Sequence, residues 1–349
     1  MRMNTTTSFP KDGSAYFLKS GEGEKYLLGS HVAEVIADAQ STSQLFEIVM
    51  MTGGKGAHFP AHRHNQATEA ILLLDGRLEL FLDGKSYLLT PGDYAHIPAG
   101  VIHEYEMRSH YTRFLSFASK GNMTPLYRAA GVPYDKAVHP PHGKNLTFEQ
   151  IKKAAVDADL ELVGQIGADD IPQLVQSGIL PDEARPYVLE AGQGIQLLFG
   201  DQLQKLLATQ KTTNGDFIAV MTEGPVGDRI INHYHEHHTE TFFCIQGIVT
   251  MWINGKEIRL EPGDFVHCPP HTIHSYRCDS NYTKFAGFLS PGLFEPFFRT
   301  LGDEYEDYIF PFELRPLRFD RVLQKIDELD LKIVDPNGGP QEKGNHLHE

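Results

Sequence analysis

The sequence has few cysteines and few positive charges. Its three cysteines, Cys244, Cys268 and Cys278, all lie in the second half of the 349 residues. An odd number favours free thiols in a reducing compartment over a disulfide framework. Lysine and arginine number 31 against 46 acidic residues, which gives a formal net charge of −15. Because nucleic acids and anionic membrane surfaces are bound by clustered basic residues, we expect no nucleic-acid and no membrane partner.

Long hydrophobic runs are also lacking. No stretch approaches the roughly 20 apolar residues of a transmembrane helix, and residues 1–10 lack the apolar segment of a signal peptide. These absences, together with the free thiols, predict a cytoplasmic protein. Hydrophobic residues make up 41% of the chain and charged residues 22%, which is typical of a globular protein, and the length suffices for two domains.

The chain contains an internal repeat at an offset of 171 residues. Three histidines and one glutamate recur at this offset, since 233−62, 235−64, 240−69 and 274−103 all equal 171. The residues concerned are His62, His64, Glu69 and His103 in the first copy and His233, His235, Glu240 and His274 in the second. The same offset aligns Tyr134 with Tyr305, and the similarity predicts two domains, at 15–134 and 186–305.

Each repeat has the pattern of short β-strands joined by tight turns. The runs on either side of Asp83-Gly84 are rich in β-forming residues and predict a hairpin, and Asn254-Gly255 occupies the equivalent position in the second repeat. Several short strands in a unit of this size favour an antiparallel β-barrel or sandwich. We therefore predict an all-β-dominated fold of two tandem domains with only a few helices.

The segments outside the repeats have a different composition. The connector at 135–185 contains a helix start with the capping-box pattern at Thr147. The extension at 306–336 has apolar residues at helical spacing over 319–331, which predicts an amphipathic helix that packs on a barrel or on a partner subunit. The polar tail at 337–349 is predicted to be disordered.

The repeated histidines and glutamates have the spacing of a metal centre. His62 and His64 are two residues apart, so on a β-strand both imidazoles project from one face, while Glu69 and His103 arrive from later strands. Three imidazoles and one carboxylate suit a divalent first-row metal. In a single copy, a chance grouping of surface histidines would be an alternative. The second copy, with identical spacing, argues against chance.

Two spacings resemble the signature motifs of the cupin superfamily. The first, G-x5-HxH-x4-E-x6-G, runs from Gly56 to Gly76, and the second, G-x5-PxGxxH, runs from Gly92 to His103. The second repeat departs from the pattern at His271, where glycine is usual. The resemblance implies small, jelly-roll-like antiparallel barrels, each of which holds a metal at its mouth through the four residues of its repeat.

Over 20–331 the chain is more closely similar to the two-domain quercetin 2,3-dioxygenases of bacteria, in stretches such as 20–24, 233–236 and 291–299. This resemblance implies a homodimeric enzyme that binds a flavonol through its 3-hydroxyl group, removes the hydroxyl proton, and uses O2 to open the heterocycle with release of carbon monoxide. One divalent ion per domain is expected, Fe2+, Mn2+, Co2+ or Ni2+, with iron or manganese favoured.

Glu69 and Glu240 are the candidate catalytic residues, because each is the motif group that could accept the flavonol proton near the metal. We expect Glu69 to be the more important of the two. Its barrel has the small Gly100 where the second barrel has the bulky His271. A large side chain at that place is expected to narrow the mouth of the second barrel.

Strand alternation indicates which side chains line each barrel, because every second residue faces the same side. The residues two and four positions after the glutamate and after the last histidine of each repeat share the face of that ligand. The predicted substrate-pocket residues are Ile71, Leu73, Tyr105 and Met107 in the first barrel and Phe242 and Tyr276 in the second, with Cys244 and Cys278 on the same face. These residues suit a planar aromatic guest, although any barrel core requires an apolar interior.

Two other functions compete with a flavonol dioxygenase. A bicupin metalloenzyme such as an oxalate decarboxylase would share the ligands, but its small dianionic substrate requires a cation near the metal, whereas the predicted inward positions are apolar or aromatic. A non-catalytic binding or storage bicupin would not need eight intact ligands. Metal content distinguishes this last class, because a storage protein should purify without stoichiometric metal.

Overall fold

The computed structural model describes residues 10, 12–164, 171–176, 178–313 and 315–334. Within this part of the chain strands dominate, as the sequence predicts, and helices are few and short. None of the helices there is long and apolar enough to cross a membrane. The tail at 337–349, predicted to be disordered, lies outside the described residues.

Apart from β14, which has no described counterpart, the strands and helices follow one another in the same order in the two halves of the chain. The first half forms β1 Tyr16–Leu18, β2 Glu24–Leu28, β3 His31–Ala37, β4 Phe46–Gly53, β5 His58–Arg63, β6 Thr68–Asp75, β7 Leu78–Leu82, β8 Lys85–Leu89, β9 Tyr94–Ile97, β10 His103–Met107, β11 Thr112–Ser119, α1 Thr124–Ala130, β12 Val132–Pro133, α2 Phe148–Ala154, β13 Glu161–Leu162 and β14 Gln173–Leu174. The second half forms β15 Tyr187–Leu189, β16 Ile195–Phe199, β17 Gln202–Ala208, β18 Ile218–Gly224, β19 His233–Tyr234, β20 Thr239–Gln246, β21 Val249–Ile253, β22 Lys256–Leu260, β23 Phe265–Cys268, β24 His274–Cys278, β25 Thr283–Ser290, α3 Glu295–Leu301, β26 Asp303–Glu304, α4 Phe319–Gln324 and β27 Lys332–Ile333.

Each half builds a barrel from a large and a small sheet. In the first, the order β12-β2-β3-β4-β11-β6-β9-β15 faces β13-β5-β10-β7-β8-β14. In the second, β1-β23-β20-β25-β18-β17-β16-β26 faces β22-β21-β24-β19-β27. The prediction of two tandem, mainly antiparallel barrels is confirmed.

The two barrels exchange their first strands. β1 pairs with β23 of the second barrel, with Tyr16 opposite His267, and β15 pairs with β9 of the first barrel, with Tyr187 opposite His96. Both pairs of positions obey the offset of 171, so the exchange is symmetric. Each added strand covers a sheet edge that would otherwise offer unpaired backbone groups to solvent. The first strand within each predicted domain range therefore belongs to the sheet of the other barrel.

An aromatic cluster joins the large sheets of the two barrels. Phe117 on β11 and Phe288 on β25 stack face to face, with ring centroids 4.4 Å apart and planes inclined by 4°. Phe217 lies 4.8 Å from Phe117, and all three rings are buried. Phe117 and Phe288 are equivalent in the repeat, since 288−117 is 171. Contact between equivalent residues places a local twofold axis between the two rings, as at an isologous interface.

The predicted hairpins are present with the expected turn residues. Asp83 and Gly84 connect β7 to β8 with φ values of 51° and 77°. Asn254 and Gly255 connect β21 to β22 with values of 48° and 79°. Two successive residues at positive φ define the turn that matches the twist of paired strands, and asparagine, aspartate and glycine tolerate it best.

Part of the connector, 148–162, is repeated in the extension at 319–333. The capping box is confirmed at the start of α2, where Thr147 and Gln150 bond reciprocally. The predicted helix over 319–331 was too long: α4 ends at Gln324, and a 3-10 turn at Ile326–Glu328 follows, as it follows α2 in the connector. The chain then extends so that Leu329 and Leu331 reach the core of the second barrel. Because α2, the 3-10 turn and β13 begin 171 residues before α4, its turn and β27, the repeat continues beyond the predicted domain ends.

Candidate metal centres

The four predicted residues of the first repeat meet at one end of the first barrel. His62 on β5 lies directly opposite His103 on β10, while Glu69 projects from β6 in the facing sheet. His64 follows β5 by one residue. One ligand atom from each residue lies within 4.8 Å of all the others. Metal–nitrogen and metal–oxygen bonds of about 2.1 Å would place such atoms at comparable separations.

The second barrel repeats this arrangement. His233, His235, Glu240 and His274 also place one ligand atom each within 4.8 Å of the others. The Glu240 Oε2 atom lies 2.9 Å from His274 Nε2 and 3.3 Å from His235 Nε2. In the first barrel the corresponding distances from Glu69 Oε2 are 3.1 Å to His103 and 3.4 Å to His64. Sequence reasoning thus selected eight residues that the fold brings together in two groups of four.

Backbone carbonyl groups hold all six histidines in one tautomer. The Nδ1 atom of each lies 2.7–3.0 Å from a carbonyl oxygen, so Nδ1 carries the proton and donates it. The donor–acceptor pairs are His62 with Pro60, His64 with Asp159, His103 with Val101, His233 with Ile231, His235 with Asp330 and His274 with Thr272. The Nε2 lone pairs therefore point inward, and the donor set fits a divalent metal ion.

The electrostatics of the two groups favour a neutral first histidine and an ionised glutamate. Burial and the neighbouring imidazoles hold the pKa of His62, and equally that of His233, well below the usual value. In the first group burial lowers the pKa of His64, but the hydrogen bond and charge of Glu69 outweigh burial and raise it. Burial alone would raise the pKa of Glu69 and Glu240. The hydrogen bonds and charge of the adjacent histidines outweigh that effect and hold both pKa values well below the usual range. A carboxylate oxygen about 3 Å from an imidazole lone pair requires a cation or a proton between them.

One contact distinguishes the two glutamates. The Ser116 hydroxyl donates to the free oxygen of Glu69 at 2.6 Å, from the adjacent strand β11. In the second barrel the equivalent position is Gly287, since 116 plus 171 is 287. Glu69 is therefore held on both of its oxygens, whereas Glu240 has no hydroxyl at the corresponding place.

The cavities next to the two groups differ in size by more than tenfold. In the first barrel the space beside Glu69 measures about 30 Å³ and is closed by large side chains, among them Met51, Tyr105 and Tyr127. In the second barrel the cavity that reaches His233 and Glu240 measures about 420 Å³. Ligand pockets in proteins span roughly 300–1,000 Å³, and a single water needs about 10–15 Å³. In this conformation the second cavity has the size of a flavonol site, and the first has room for about two waters.

The structure places half of the predicted pocket residues on these cavities. Tyr105 lines the first cavity, and Phe242 and Tyr276 line the second. Ile71, Leu73 and Met107 are fully buried and line neither, and the same holds for Cys244 and Cys278. Strand alternation fixes the face of the sheet but not the depth along the barrel, and these side chains pack in the cores.

Sequence reasoning missed the residues that lie across the barrel from the ligands. The first cavity is also lined by residues of β4, β11 and the chain leading into α1, and the second by the corresponding part of the chain around α3. The missed residues that decide the shape are Glu47, Met51, Met123 and Tyr127 in the first barrel and Gln202, Gln204, Thr222, Phe294 and Phe297 in the second. The offset of 171 would have paired many of these positions, but only the fold shows that they face the ligands.

The expectation that His271 narrows the second barrel is wrong. His271 is exposed and does not line the second cavity. It adopts a φ of 65°, close to the 81° of Gly100 in the first barrel, so the two loops share one backbone path. The backbone N–H of each donates to the carbonyl of the second histidine ligand at 2.7 Å. The side chain of His271 consequently points away from the mouth, toward Tyr234.

Comparison with known proteins agrees with this geometry. A family model described as "Cupin domain" matches residues 49–116 and 220–284. Quercetin 2,3-dioxygenase of Bacillus subtilis (strain 168) is 55% identical over 337 residues, which cover 96% of this chain and 100% of that protein. The chain belongs to the quercetin 2,3-dioxygenase family of two-domain cupins. A quercetin 2,3-dioxygenase of Aspergillus japonicus is 29% identical over 135 residues, 36% of this chain and 39% of that one.

Solved structures share the fold at much lower identity. Oxalate decarboxylase of Bacillus subtilis superposes with a TM-score of 0.51 and 15% identity, over 83% of this chain and 79% of that one. An 11S globulin from Wrightia tinctoria superposes with a TM-score of 0.52 and 10% identity, over 80% of this chain and 84% of that one. These likenesses show the two-barrel architecture alone. Metal chemistry and substrate must be argued from the residues of this family.

Proposed function

We propose that this protein is a metal-dependent dioxygenase that uses O2 to open the heterocyclic ring of flavonols such as quercetin, with release of carbon monoxide. The observation that carries the proposal is the 55% identity to a quercetin 2,3-dioxygenase along 96% of the chain, which spans both repeats. The two clusters of three histidines and one glutamate support a divalent metal in each domain.

The proposed ligands are the eight residues of the two clusters. A softer or harder donor set would favour other ions, but three imidazoles and a carboxylate suit Fe2+, Mn2+, Co2+ or Ni2+, and we favour iron or manganese. When bound, the metal supplies Lewis-acid chemistry that lowers the pKa of a coordinated flavonol hydroxyl.

The two ligand glutamates are the proposed proton acceptors. Glu69 and Glu240 are ionised, because the neighbouring histidines hold their pKa values well below the usual range. Each carboxylate borders the cavity of its barrel, within reach of a hydroxyl placed there. A proton taken from the flavonol 3-hydroxyl group would rest on the glutamate until ring opening consumes it. Ser116 restrains Glu69, whereas Glu240 has no such contact and is freer to turn toward the substrate.

The remainder of the second cavity suits a flat, hydroxylated guest. The phenylalanines that surround it offer apolar faces to aromatic rings and keep water away from the reacting carbons. On the other side, Gln202, Gln204 and Thr222 present amide and hydroxyl groups that can bond the ring hydroxyls of a flavonol. These groups already bond within the cavity lining: Gln202 accepts a hydrogen bond from the Tyr276 hydroxyl at 2.7 Å, and Gln204 accepts one from the Thr222 hydroxyl at 2.6 Å.

The charges near the clusters do not favour a small dianion. Among the described residues that line the first cavity, none is a lysine or an arginine. Two arginines line the second, but both are engaged: Arg229 lies 3.9 Å over the Trp252 ring and donates to Ser275, and Arg315 stacks over Tyr305 at 5.8 Å. An oxalate-type substrate would require one of them to leave its ring.

We also propose that the enzyme is a cytoplasmic homodimer. Three free, buried cysteines support a reducing compartment. The apolar side of the extension does not supply the interface, because Val322 and Leu329 pack into the second barrel. Tyr308 and Phe312, between α3 and α4, are almost wholly exposed and would be covered in a dimer. A solution mass equal to one chain at micromolar concentration would rule this out.

Oxygen uptake and carbon monoxide release with quercetin test the proposed activity. The protein, loaded separately with Fe2+, Mn2+, Co2+ and Ni2+, should consume flavonol and O2 in equal amounts in at least one form. A variant with His62, His64, His233 and His235 all changed to alanine is the matched control and should be inactive. Conversion of oxalate without conversion of any flavonol would replace this proposal by the decarboxylase alternative.

A further inference from the structure

A single aspartate organises the ligand loop of the first barrel. The backbone N–H groups of three successive residues after His64 converge on Asp159: Asn65 donates to Oδ1 at 2.9 Å, and Gln66 and Ala67 donate to Oδ2 at 3.0 and 2.8 Å. The carbonyl oxygen of the same Asp159 accepts the Nδ1 proton of His64 at 2.7 Å. One residue of the connector therefore holds both a ligand and the loop that leads to the next ligand.

The second barrel contains the same device. Asp330 Oδ1 accepts from the backbone of Glu236 at 2.8 Å, and Oδ2 accepts from the backbone of His237 at 3.0 Å. Its carbonyl oxygen accepts the Nδ1 proton of His235 at 2.7 Å. A further contact comes from His238, which stands where the first barrel has an alanine and whose Nδ1 lies 2.7 Å from Oδ2. Asp330 belongs to the extension, just before β27.

The two aspartates are equivalent, since 330−159 is 171. Each lies between a 3-10 turn and a two-residue strand that pairs with the first histidine ligand: β13 places Leu162 opposite His62, and β27 places Ile333 opposite His233. The segment that follows each barrel thus closes over its own metal cluster. Three contacts match in the two copies, and in each a fourth donor, the Ala67 backbone or the His238 ring, also meets the Oδ2 atom, which argues that the arrangement is built for the cluster.

We propose that Asp159 and Asp330 are positioning residues that set the metal affinity of the first and the second centre, respectively. The carboxylate fixes the path of the loop, and that path sets the separation between the second histidine and the glutamate. The carbonyl fixes the tautomer and ring orientation of the histidine, so that Nε2 faces the metal. The inference requires the metal assignment above but not the flavonol chemistry.

Replacement by asparagine tests the carboxylate alone. The amide keeps the size and the backbone carbonyl, yet it turns one acceptor oxygen into an NH2 donor that faces backbone N–H donors. The loop must then move away from one of its contacts. Changes to groups that orient metal ligands typically cost about 10- to 100-fold in metal affinity, and we expect a loss of this size at one centre only.

The measurement is the dissociation constant for Mn2+ at each centre, obtained by competition with a chelator. To isolate the second centre, Asp159→Asn and Asp330→Asn are each made in a chain whose first centre is removed by His62→Ala and His64→Ala. Here Asp330→Asn should weaken Mn2+ binding about 10- to 100-fold and Asp159→Asn should leave it unchanged. The electron paramagnetic resonance spectrum of the bound Mn2+ should change only with Asp330→Asn, because the ligand geometry alters.

The reciprocal chain, with the second centre removed by His233→Ala and His235→Ala, should show the opposite dependence. Matched controls are Asp157→Asn and Glu328→Gln, exposed carboxylates two residues before each aspartate. They should change neither affinity nor spectrum. The inference would be overturned if neither aspartate variant changed the Mn2+ affinity, or if one aspartate variant weakened Mn2+ binding equally at both centres. Control variants that weakened binding as much as the aspartate variants would also overturn it. Because no readout uses a flavonol, failure of the dioxygenase proposal would appear separately, as metal binding without oxygen uptake.

Discussion

Changing Glu240 to glutamine is expected to lower flavonol turnover far more than the same change at Glu69. The reason is room for the substrate. The cavity beside Glu240 measures about 420 Å³, whereas the cavity beside Glu69 measures about 30 Å³. The volume of the Glu240 cavity falls within the usual range of ligand pockets, whereas the Glu69 cavity has room for about two water molecules. This reverses the order expected from the sequence, because the side chain assumed to block the second barrel points away from it.

The magnitude follows from the role assigned to the glutamate. Glutamine keeps a neutral oxygen that can stay on the metal but cannot accept the hydroxyl proton. Loss of a general base typically slows a reaction by about 10²- to 10⁴-fold, so Glu240→Gln should reduce kcat by that factor. Glu69 is also held by the Ser116 hydroxyl at 2.6 Å, which restrains it from moving toward a guest. Glu69→Gln should therefore leave most of the activity.

Steady-state quercetin consumption, normalised to bound metal, decides between the two glutamates. Normalisation is needed because either variant could also lose metal from its own centre. A larger loss from Glu69→Gln would refute the reasoning from cavity volume and show that the first barrel opens when substrate arrives. Comparable losses would show that both barrels turn over.

Three further outcomes are expected. Thr222→Met introduces the side chain that Met51 supplies in the first barrel, so it should fill the second cavity and raise the KM for quercetin without loss of metal. An unchanged KM would contradict the assignment of this cavity to the substrate. Burial lowers the pKa of His96 and His267 from 6.5 to about 4. The folded protein therefore holds both rings neutral, and this contribution to the free energy of unfolding is fully present above pH 6.5. It should be lost as the pH falls from 6.5 to 4, at a cost of about 3 kcal/mol for each histidine. Urea unfolding at pH 7.5 and pH 5 should show about 2 kcal/mol of this loss for each histidine, and a double glutamine variant with the same pH dependence would refute the assignment. His271→Gly should raise the free energy of unfolding by about 1 kcal/mol in thermal or urea melts, because a non-glycine residue at a φ of 65° is strained, and a decrease would show that the ring packs usefully.

The ligand residues could be predicted from the sequence because their geometry is local. An HxH pair on a strand shares one face whatever surrounds it, and a second copy at a fixed offset excludes coincidence. The hairpin turns were predictable for a similar reason, since Asp83-Gly84 and Asn254-Gly255 satisfy the backbone requirement by themselves.

The exchanged strands and the positioning aspartates could not be predicted in this way. Tyr16 and Leu18 have the alternation of a strand, but nothing in that pattern states which barrel supplies the partner edge. Asp159 and Asp330 are related by the offset of 171, but the residues around them differ so much that sequence similarity alone ends the first repeat at Tyr134. The structure shows that the repeat continues, because α2 and β13 begin 171 residues before α4 and β27 although their side chains differ.

The two barrels retain one set of ligands while their interiors have diverged, and the structure explains how both are possible. Each ligand histidine is held through Nδ1 by a backbone carbonyl, so its orientation does not depend on which side chains fill the barrel. Substitutions such as Met51 for Thr222 or Glu47 for Ile218 at equivalent positions therefore change the volume of the cavity without moving the Nε2 atoms. Metal binding and substrate fit are separately variable in this fold, and for that reason equal ligand sets do not imply equal roles for the two centres.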